Sequence, residues 1–425
     1  MEAYANALLI AIPLFLLLIL LEIGYGYWRK KITYGVLDTV SSISSGITNI
    51  LKDTLGLGVV LVSYPSILSF FKVVPLEVHW WVWVIGFICI DFGGYWNHRL
   101  SHKINIFWNQ HMIHHSSESF NLACALRQSI SNLFAYFPLL LLPAALLGVP
   151  YKVIAILAPV HLFAQFWYHT QHIGKLGFLE YIIVTPSQHR VHHAINERYI
   201  DKNLGQFFSI WDRMFGTFQE ELASDPPQYG VLKQVNTWNP LTINFMHFWQ
   251  ISKDAWRTKS WIDKLRIWFM PTGWRPADVA DNYPVEIIED VFNFKRYPES
   301  GSTLFKAYAV FQLLGVSMIL LLGLSEVNGL EAFEFILLAL YIALSVYSYS
   351  MFMDRWSGAY FTEVTRISIG LITSVIFLNT GDAPAHFYSW SIVLYSYFVL
   401  SLMGLVYGFF QSRLVHLQKK FRVNI

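Results

Sequence analysis

Residues 98–115 read HRLSHKINIFWNQHMIHH and hold five of the chain's 15 histidines within eighteen positions. His98 and His102 stand four apart. His111, His114 and His115 stand three and four apart, which puts their side chains on one side of a helix. The spacing recurs downstream: HRVHH carries His189, His192 and His193, and FWYHTQH offers His169 and His172. A single pair four apart arises often by chance. Two HxxHH groups after an HxxxH, set directly behind an apolar run, point to imidazoles gathered around metal.

That apolar run, 78–96, holds Asp91 as its one Asp, Glu, Lys or Arg, and it belongs to a wider pattern. The 425 residues are 55% hydrophobic, 17% aromatic and 14% charged, with mean hydropathy +0.42. Residues 3–21, 54–71, 128–151, 307–325, 335–353 and 383–412 contain no Asp, Glu, Lys or Arg. Each is about long enough to cross a hydrocarbon core of ~30 Å as a helix. With 78–96, 153–172 and 367–381 the pattern predicts an all-α integral membrane protein of nine transmembrane helices. The first run opens on MEAY, without a basic leader or small-residue cleavage site, and reads as a retained helix. Net charge is +2, too small to imply nucleic acid, and Cys89 and Cys124 do not form a disulfide framework.

Threading nine spans with the N-terminus outside and the C-terminus in the cytosol leaves 28 of the 30 Lys and Arg residues inside; only Lys72 and Lys152 fall outside. Basic loops face the cytosol, so the histidines are expected there. The expected organisation is an N-terminal membrane module over 1–172, a cytosolic segment over 173–306 holding the last histidine group, and a C-terminal four-helix membrane module over 307–425. Within the middle segment FWQISKDAWRTKSWIDKLRIWF, residues 248–269, is basic and aromatic. It reads either as a helix lying on the membrane surface or as a core helix packed on the metal module.

Imidazole suits zinc, copper, iron and nickel. One zinc takes four ligands, so this many histidines suggests two metals. Two irons with open positions would activate oxygen, and the apolar surroundings suit a lipid. Two other classes stay open: a metal transporter with a histidine-lined path, and a zinc-binding membrane protein. Transport sites lie near the midplane between repeats, and no internal repeat is visible. His161, deeper in its apolar run, reads as a satisfied buried histidine, and His79 and His247 read as incidental.

The stretches 91–129, 163–170 and 185–218 resemble the fatty acid hydroxylase / sterol desaturase superfamily, and within it the alkylglycerol monooxygenase branch. The resemblance covers residues 80–250. It implies a non-haem di-iron monooxygenase, with iron held by His98, His102, His111, His114, His115, His169, His189, His192 and His193. It implies O2 as co-substrate and a two-electron donor, either tetrahydrobiopterin or a protein redox partner. In the alkylglycerol branch the carbon next to the ether oxygen is hydroxylated and a fatty aldehyde is released. The alternative is a hydroxylase or desaturase of a sterol, fatty acyl, sphingoid, carotenoid or ornithine lipid. The implied location is the inner membrane of a bacterium or the endoplasmic reticulum of a eukaryote. Lys103 departs from the branch, which tends to carry Glu there, and His172 is not one of its regular positions. Metal-bound imidazoles usually give their other N–H to a carboxylate or carbonyl, which makes Asp91, Asp201 and Asp212 candidates to support the ligands, with His172 beside them. Asn121, Arg127 and Gln128 are candidates to contact a lipid head group.

Overall fold

The computed structural model describes residues 2–57, 59–60, 62–132, 134–379 and 385–422. Apart from one pair of two-residue strands and isolated bridges, the regular structure described is helical. Helix α1 spans Glu2–Trp28 and α2 Val36–Thr54. The expected span at 54–71 is not one helix. Gly56 turns the chain with φ +63°, and Ser63 caps the short helix α3, Tyr64–Phe70, by accepting from the Ser66 N–H. Helix α4, Trp80–Lys103, ends where Ile104 is extended (φ −123°, ψ 127°), and α5, Asn105–His115, starts at the next residue.

The expected span at 128–151 is also broken. It contains the short helices α6, Phe137–Leu140, and α7, Leu142–Leu146, with prolines at 138, 143 and 150 and Gly148 at φ +75°. Proline lacks the N–H that an interior helical position needs. Strand β1, Val59–Val60, from the first broken run pairs in parallel with β2, Phe134–Ala135, from the second. Helix α8, Tyr151–Phe163, is shorter than its expected span and is followed by irregular chain.

Three short helices follow: α9, Pro186–His192; α10, Ile210–Met214; and, after a long irregular stretch and α11, Pro240–Arg257, the helix α12, Trp261–Arg266. Helix α13 covers Ala277–Asn282. The chain ends in α14, Thr303–Ser325; α15, Ala332–Met353; α16, Ala359–Asn379; and α17, Ala385–Arg422. The junction between the last two expected spans, at 380–384, lies outside the described residues. Among the described residues, four helical stretches are long and apolar enough to cross a membrane: Tyr4–Trp28, Thr303–Ser325, Ala332–Met353 and Trp390–Gly408.

The chain divides into two compact units. One comprises 1–12, 237–239 and 298–425; the other comprises 13–236 and 240–297. In the larger unit α4 packs on α5, α6, α7 and α8, and α11 packs on α5 and α2. Val82, Cys89, Ile90, Val149 and Val153 form one apolar core around α4, and Met112, Ile113, Val231 and Ile243 form another between α5 and α11. Of residues 1–306, the stretches 1–12, 237–239 and 298–306 fall in the smaller unit.

In the smaller unit α14 to α17 pack as neighbours around a buried polar centre. The Arg366 guanidinium donates to Glu363, to Gln312 Oε1 at 2.7 Å and to the Tyr397 hydroxyl at 3.1 Å, and both ionic side chains are fully buried. Gly315 and Gly370 admit the rings of Tyr397 and Phe398, which a Cβ at either position would overlap at 2.1 and 2.3 Å.

Candidate metal centre

Nine histidines converge in the larger unit from four places in the chain. The last turn of α4 presents His98 and His102 on one face. Helix α5 presents His111, His114 and His115. His169 follows α8 in irregular chain, and α9 presents His189 and His192 with His193 as its C-cap. The short α9 is capped by the Thr185 hydroxyl, with Pro186 at its start, a position where a missing N–H costs nothing.

The side chains sort into two groups. His98, His102, His111, His115 and His192 form one; His114, His169, His189 and His193 form the other. Within each group the candidate ligand nitrogens lie within 4.8 Å of one another. Helix α5 serves both, because His114 points to the second group while its neighbours at 111 and 115 point to the first. Seven of the nine side chains are buried and His111 and His114 are half-buried. Burial, reinforced by neighbouring imidazoles, pushes His111, His115, His189, His192 and His193 well below their ordinary range, and burial pushes His114 down to about 3.

Orienting bonds fix which ring nitrogen carries the proton. His98 Nδ1 donates to the Leu204 carbonyl at 2.8 Å, His114 Nδ1 to the Arg127 carbonyl at 3.3 Å and His192 Nδ1 to the Lys202 carbonyl at 3.1 Å. His169 Nδ1 donates to the Gln165 carbonyl at 3.0 Å, and His102 Nδ1 faces Asp201 Oδ1 at 3.3 Å. A neutral imidazole has one N–H, so in these five rings Nε2 carries a lone pair. His114 Nε2 and His169 Nε2 nevertheless face each other at 3.3 Å. The Nε2 atoms of His102 and His192 are buried with no hydrogen-bond partner among the described residues. Lone pairs converging in a buried space are costly unless paired, and a cation held between them would satisfy them. An all-imidazole donor set fits iron, and also zinc or copper.

The supporting candidates separate. Asp201 lies against His102 and accepts from Lys103 Nζ at 2.6 Å, so Lys103 forms an ion pair beside the histidines. Asp212 touches none of the nine through the bonds it makes. It accepts from the Leu204 and Gly205 N–H groups at 2.7 and 2.9 Å and from the Thr217 hydroxyl at 2.7 Å, and so holds the loop whose Leu204 carbonyl orients His98.

Asp91 does not support a site histidine. Its carboxylate accepts from His161 at 2.7 Å, from the Phe207 and Phe208 N–H groups and from the Trp211 indole, and ties α4 to α8, to the loop before α10 and to α10 itself. His161 is therefore the satisfied buried histidine expected. His172 turns away to an edge contact with Tyr25, ring centroids 5.2 Å apart.

The three head-group candidates have structural work instead. Arg127 is buried and donates to Ser42, Ser116 and Asp38, leaving it no reach toward a head group; its backbone carbonyl orients His114. Asn121 bonds Thr33 and closes its own turn at Ala123 and Cys124. Gln128 bonds Ala125 and Ser45. Sequence reading missed the carbonyl acceptors, which carry no side-chain signal. It also missed Glu22, a buried acid on α1 that accepts from Tyr34, Thr170 and the Leu122 N–H.

A cavity of about 600 Å³ opens onto the first group. His102, His115, His192 and His193 share its wall with Trp108, Met112, Val231, Met246, Ile251 and Ile267.

The fatty acid hydroxylase family matches residues 83–217, which hold all nine histidines. Alkylglycerol monooxygenase of Homo sapiens is 34% identical over 364 residues, covering 84% of this chain and 80% of that protein. The Danio rerio protein of the same name is 35% identical over 367 residues, covering 84% and 79%. An ornithine lipid hydroxylase of Rhizobium tropici is 29% identical over 152 residues, covering 36% and 46%. No solved structure matches the chain.

Proposed function

Because this chain belongs to the alkylglycerol monooxygenase family, we propose that it cleaves 1-O-alkylglycerols by hydroxylating the carbon next to the ether oxygen. The net step consumes the lipid, O2, two electrons and two protons. It forms a C–O bond in place of one C–H bond and releases water. The resulting hemiacetal passes its hydroxyl proton to the ether oxygen as that C–O bond breaks, giving a fatty aldehyde and glycerol.

The observation that carries the reading is the His114–His169 contact, two lone pairs at 3.3 Å in a buried pocket. His98, His102, His111, His115 and His192 would hold one iron and His114, His169, His189 and His193 a second. When bound, the irons would supply the reduction of O2 and the oxidation of the C–H bond. The protein's part is positional. Asp201 and the carbonyls of Leu204, Lys202, Arg127 and Gln165 hold five rings with Nε2 inward. The apolar cavity walls fit a hydrocarbon chain and keep water from it. The electrons come from tetrahydrobiopterin or from a protein redox partner.

The basic residues Arg29, Lys30 and Lys31 directly follow the apolar part of α1, which supports a cytosolic end there. Lys31 donates to the Gln171 carbonyl, and Glu22 on α1 accepts from Thr170 beside His169, which supports a cytosolic metal centre too. The deciding experiment is anaerobic purification with metal analysis, then mass spectrometry of 1-O-alkylglycerol treated with ¹⁸O2 and each donor. Labelled fatty aldehyde is expected. Intact alkylglycerol with every donor, while another lipid gains oxygen, would overturn the substrate and leave a di-iron hydroxylase.

A further inference from the structure

Helix α11 turns two unlike faces outward. Phe245, Phe248, Trp249 and Trp256 are exposed, whereas His247, Gln250, Ile251 and Asp254 line the cavity. The intervals of three, four and seven place the latter on one face. Three of the four are polar, an unexpected lining for a chamber that takes only hydrocarbon.

Most of these polar groups satisfy one another. Lys233 Nζ donates to Gln250 Oε1 at 2.8 Å, and Gln250 Nε2 donates to Asp254 Oδ1 at 2.9 Å. The Arg275 guanidinium donates to both Asp254 oxygens, at 2.6 and 3.0 Å. His247 is the exception: its Nε2 is buried and has no hydrogen-bond partner among the described residues. Burial and the Lys233 charge push this imidazole down to about 4, so it is neutral near pH 7. A neutral imidazole carries one N–H and one lone pair, and with the proton on Nδ1 its Nε2 is a free acceptor facing the cavity.

We infer that His247 and the chain Lys233–Gln250–Asp254–Arg275 form a subsite for a neutral, hydroxyl-bearing lipid head group, with His247 Nε2 accepting from one hydroxyl. This deepens the alkylglycerol reading and rests on it. The reacting carbon of such a lipid is one bond from the ether oxygen, so head group and oxidising centre must share a chamber, and this cavity is lined by both sets of residues. The chemistry disfavours an anionic head group. The Arg275 guanidinium already binds a carboxylate, Lys233 already has an acceptor, and the unfilled position asks for a hydrogen-bond donor, which a phosphate diester lacks. The apolar neighbours Met246, Ile251 and Val231 take the start of the alkyl chain.

The test measures binding of three probes to the purified full chain in detergent: 1-O-hexadecylglycerol, hexadecyl propyl ether, which lacks both hydroxyls, and hexadecyl methyl phosphate, an anionic phosphodiester without a hydroxyl. The wild type should prefer the diol to the ether by about tenfold, the worth of one or two net hydrogen bonds. His247→Phe should reduce that preference to about twofold or less, and His247→Gln, which keeps an acceptor, should restore part of it. In turnover His247→Phe should raise KM for the diol with kcat little changed. Unchanged preference in His247→Phe at normal metal content overturns the subsite, as does a phosphodiester binding better than the diol. Preference lost in the variant without aldehyde from the wild type overturns ether cleavage and leaves the subsite standing.

Discussion

Asp201 is the side chain through which this centre is most directly adjustable. It takes a left-handed backbone conformation, φ +57°, which a short polar residue tolerates better than most, and it bridges His102 and Lys103. Asp201→Asn keeps the shape and removes the charge. Metal affinity or activity should fall about 10- to 100-fold, measured as retained iron after dialysis against a chelator; unchanged retention would assign Asp201 to Lys103 alone. His114→Ala and His192→Ala should each abolish turnover, and full activity in either would sink the ligand assignment.

The same histidines set an acid limit on the metal-free protein. Burial holds His111, His114, His115, His189, His192 and His193 below their ordinary range, so the unfolded chain binds protons first as pH falls below about 6.5. Stability contributed by the neutral rings is present above that pH and is lost progressively below it. The unfolding temperature of chelated protein should therefore drop between pH 7 and pH 5; a flat profile would mean that the rings protonate in place.

At the scale of the elements, the histidine spacing was legible because it is helical: 98/102, 111/114/115 and 189/192 lie on α4, α5 and α9 as their intervals require. The partition of the nine was not legible. It depends on the break at Ile104, which lays α5 back against α4, and on His169 arriving from irregular chain after α8. Broken helices at 54–71 and 128–151 were hidden for a related reason, since hydropathy does not register a turn. The prolines and glycines in those runs were the available signal. Asp91 misled because its place two turns before His98 is real, but α8 and the 207–211 loop reach its carboxylate first.

The loop 201–205 supplies Asp201, the Lys202 carbonyl and the Leu204 carbonyl to three histidines. Its closure on Asp212 requires a glycine at 205, where a Cβ would lie 2.7 Å from Asp212 Oδ2 and 2.8 Å from the Phe208 carbonyl. Gly205→Ala should thus release the loop and lower metal content, although residue 205 touches no histidine itself. Normal iron in a folded Gly205→Ala protein would show that the loop is not needed to orient His98.

Across the whole molecule, ionic groups in apolar surroundings have two distinct uses. In the smaller unit, among the described residues, Arg366 and Glu363 bond each other and the neutral polar groups of Gln312, Tyr397 and Tyr308. Removing one partner of a buried pair costs about 3–5 kcal/mol, while replacing both by apolar groups of similar volume is often near neutral. Arg366→Met should destabilise this unit, and Arg366→Met with Glu363→Met should recover much of the loss in thermal unfolding. A single substitution without effect would mean that the pair is not desolvated in the native protein.

In the larger unit charge instead reports orientation. Arg29, Lys30 and Lys31 directly follow α1, and the bonds from Lys31 to the Gln171 carbonyl and from Thr170 to Glu22 tie that end to the histidine side. Cytosolic placement follows if basic residues stay on the cytosolic side, and it can be read without relying on the number of spans. Ser224 is exposed in the irregular chain between α10 and α11, while the two native cysteines are buried. Ser224→Cys therefore gives a probe with little background. It should react with a membrane-impermeant maleimide only after intact cells are opened. Labelling before opening would put the histidine centre on the outer face, and with it the entry of any cytosolic electron donor would be ruled out.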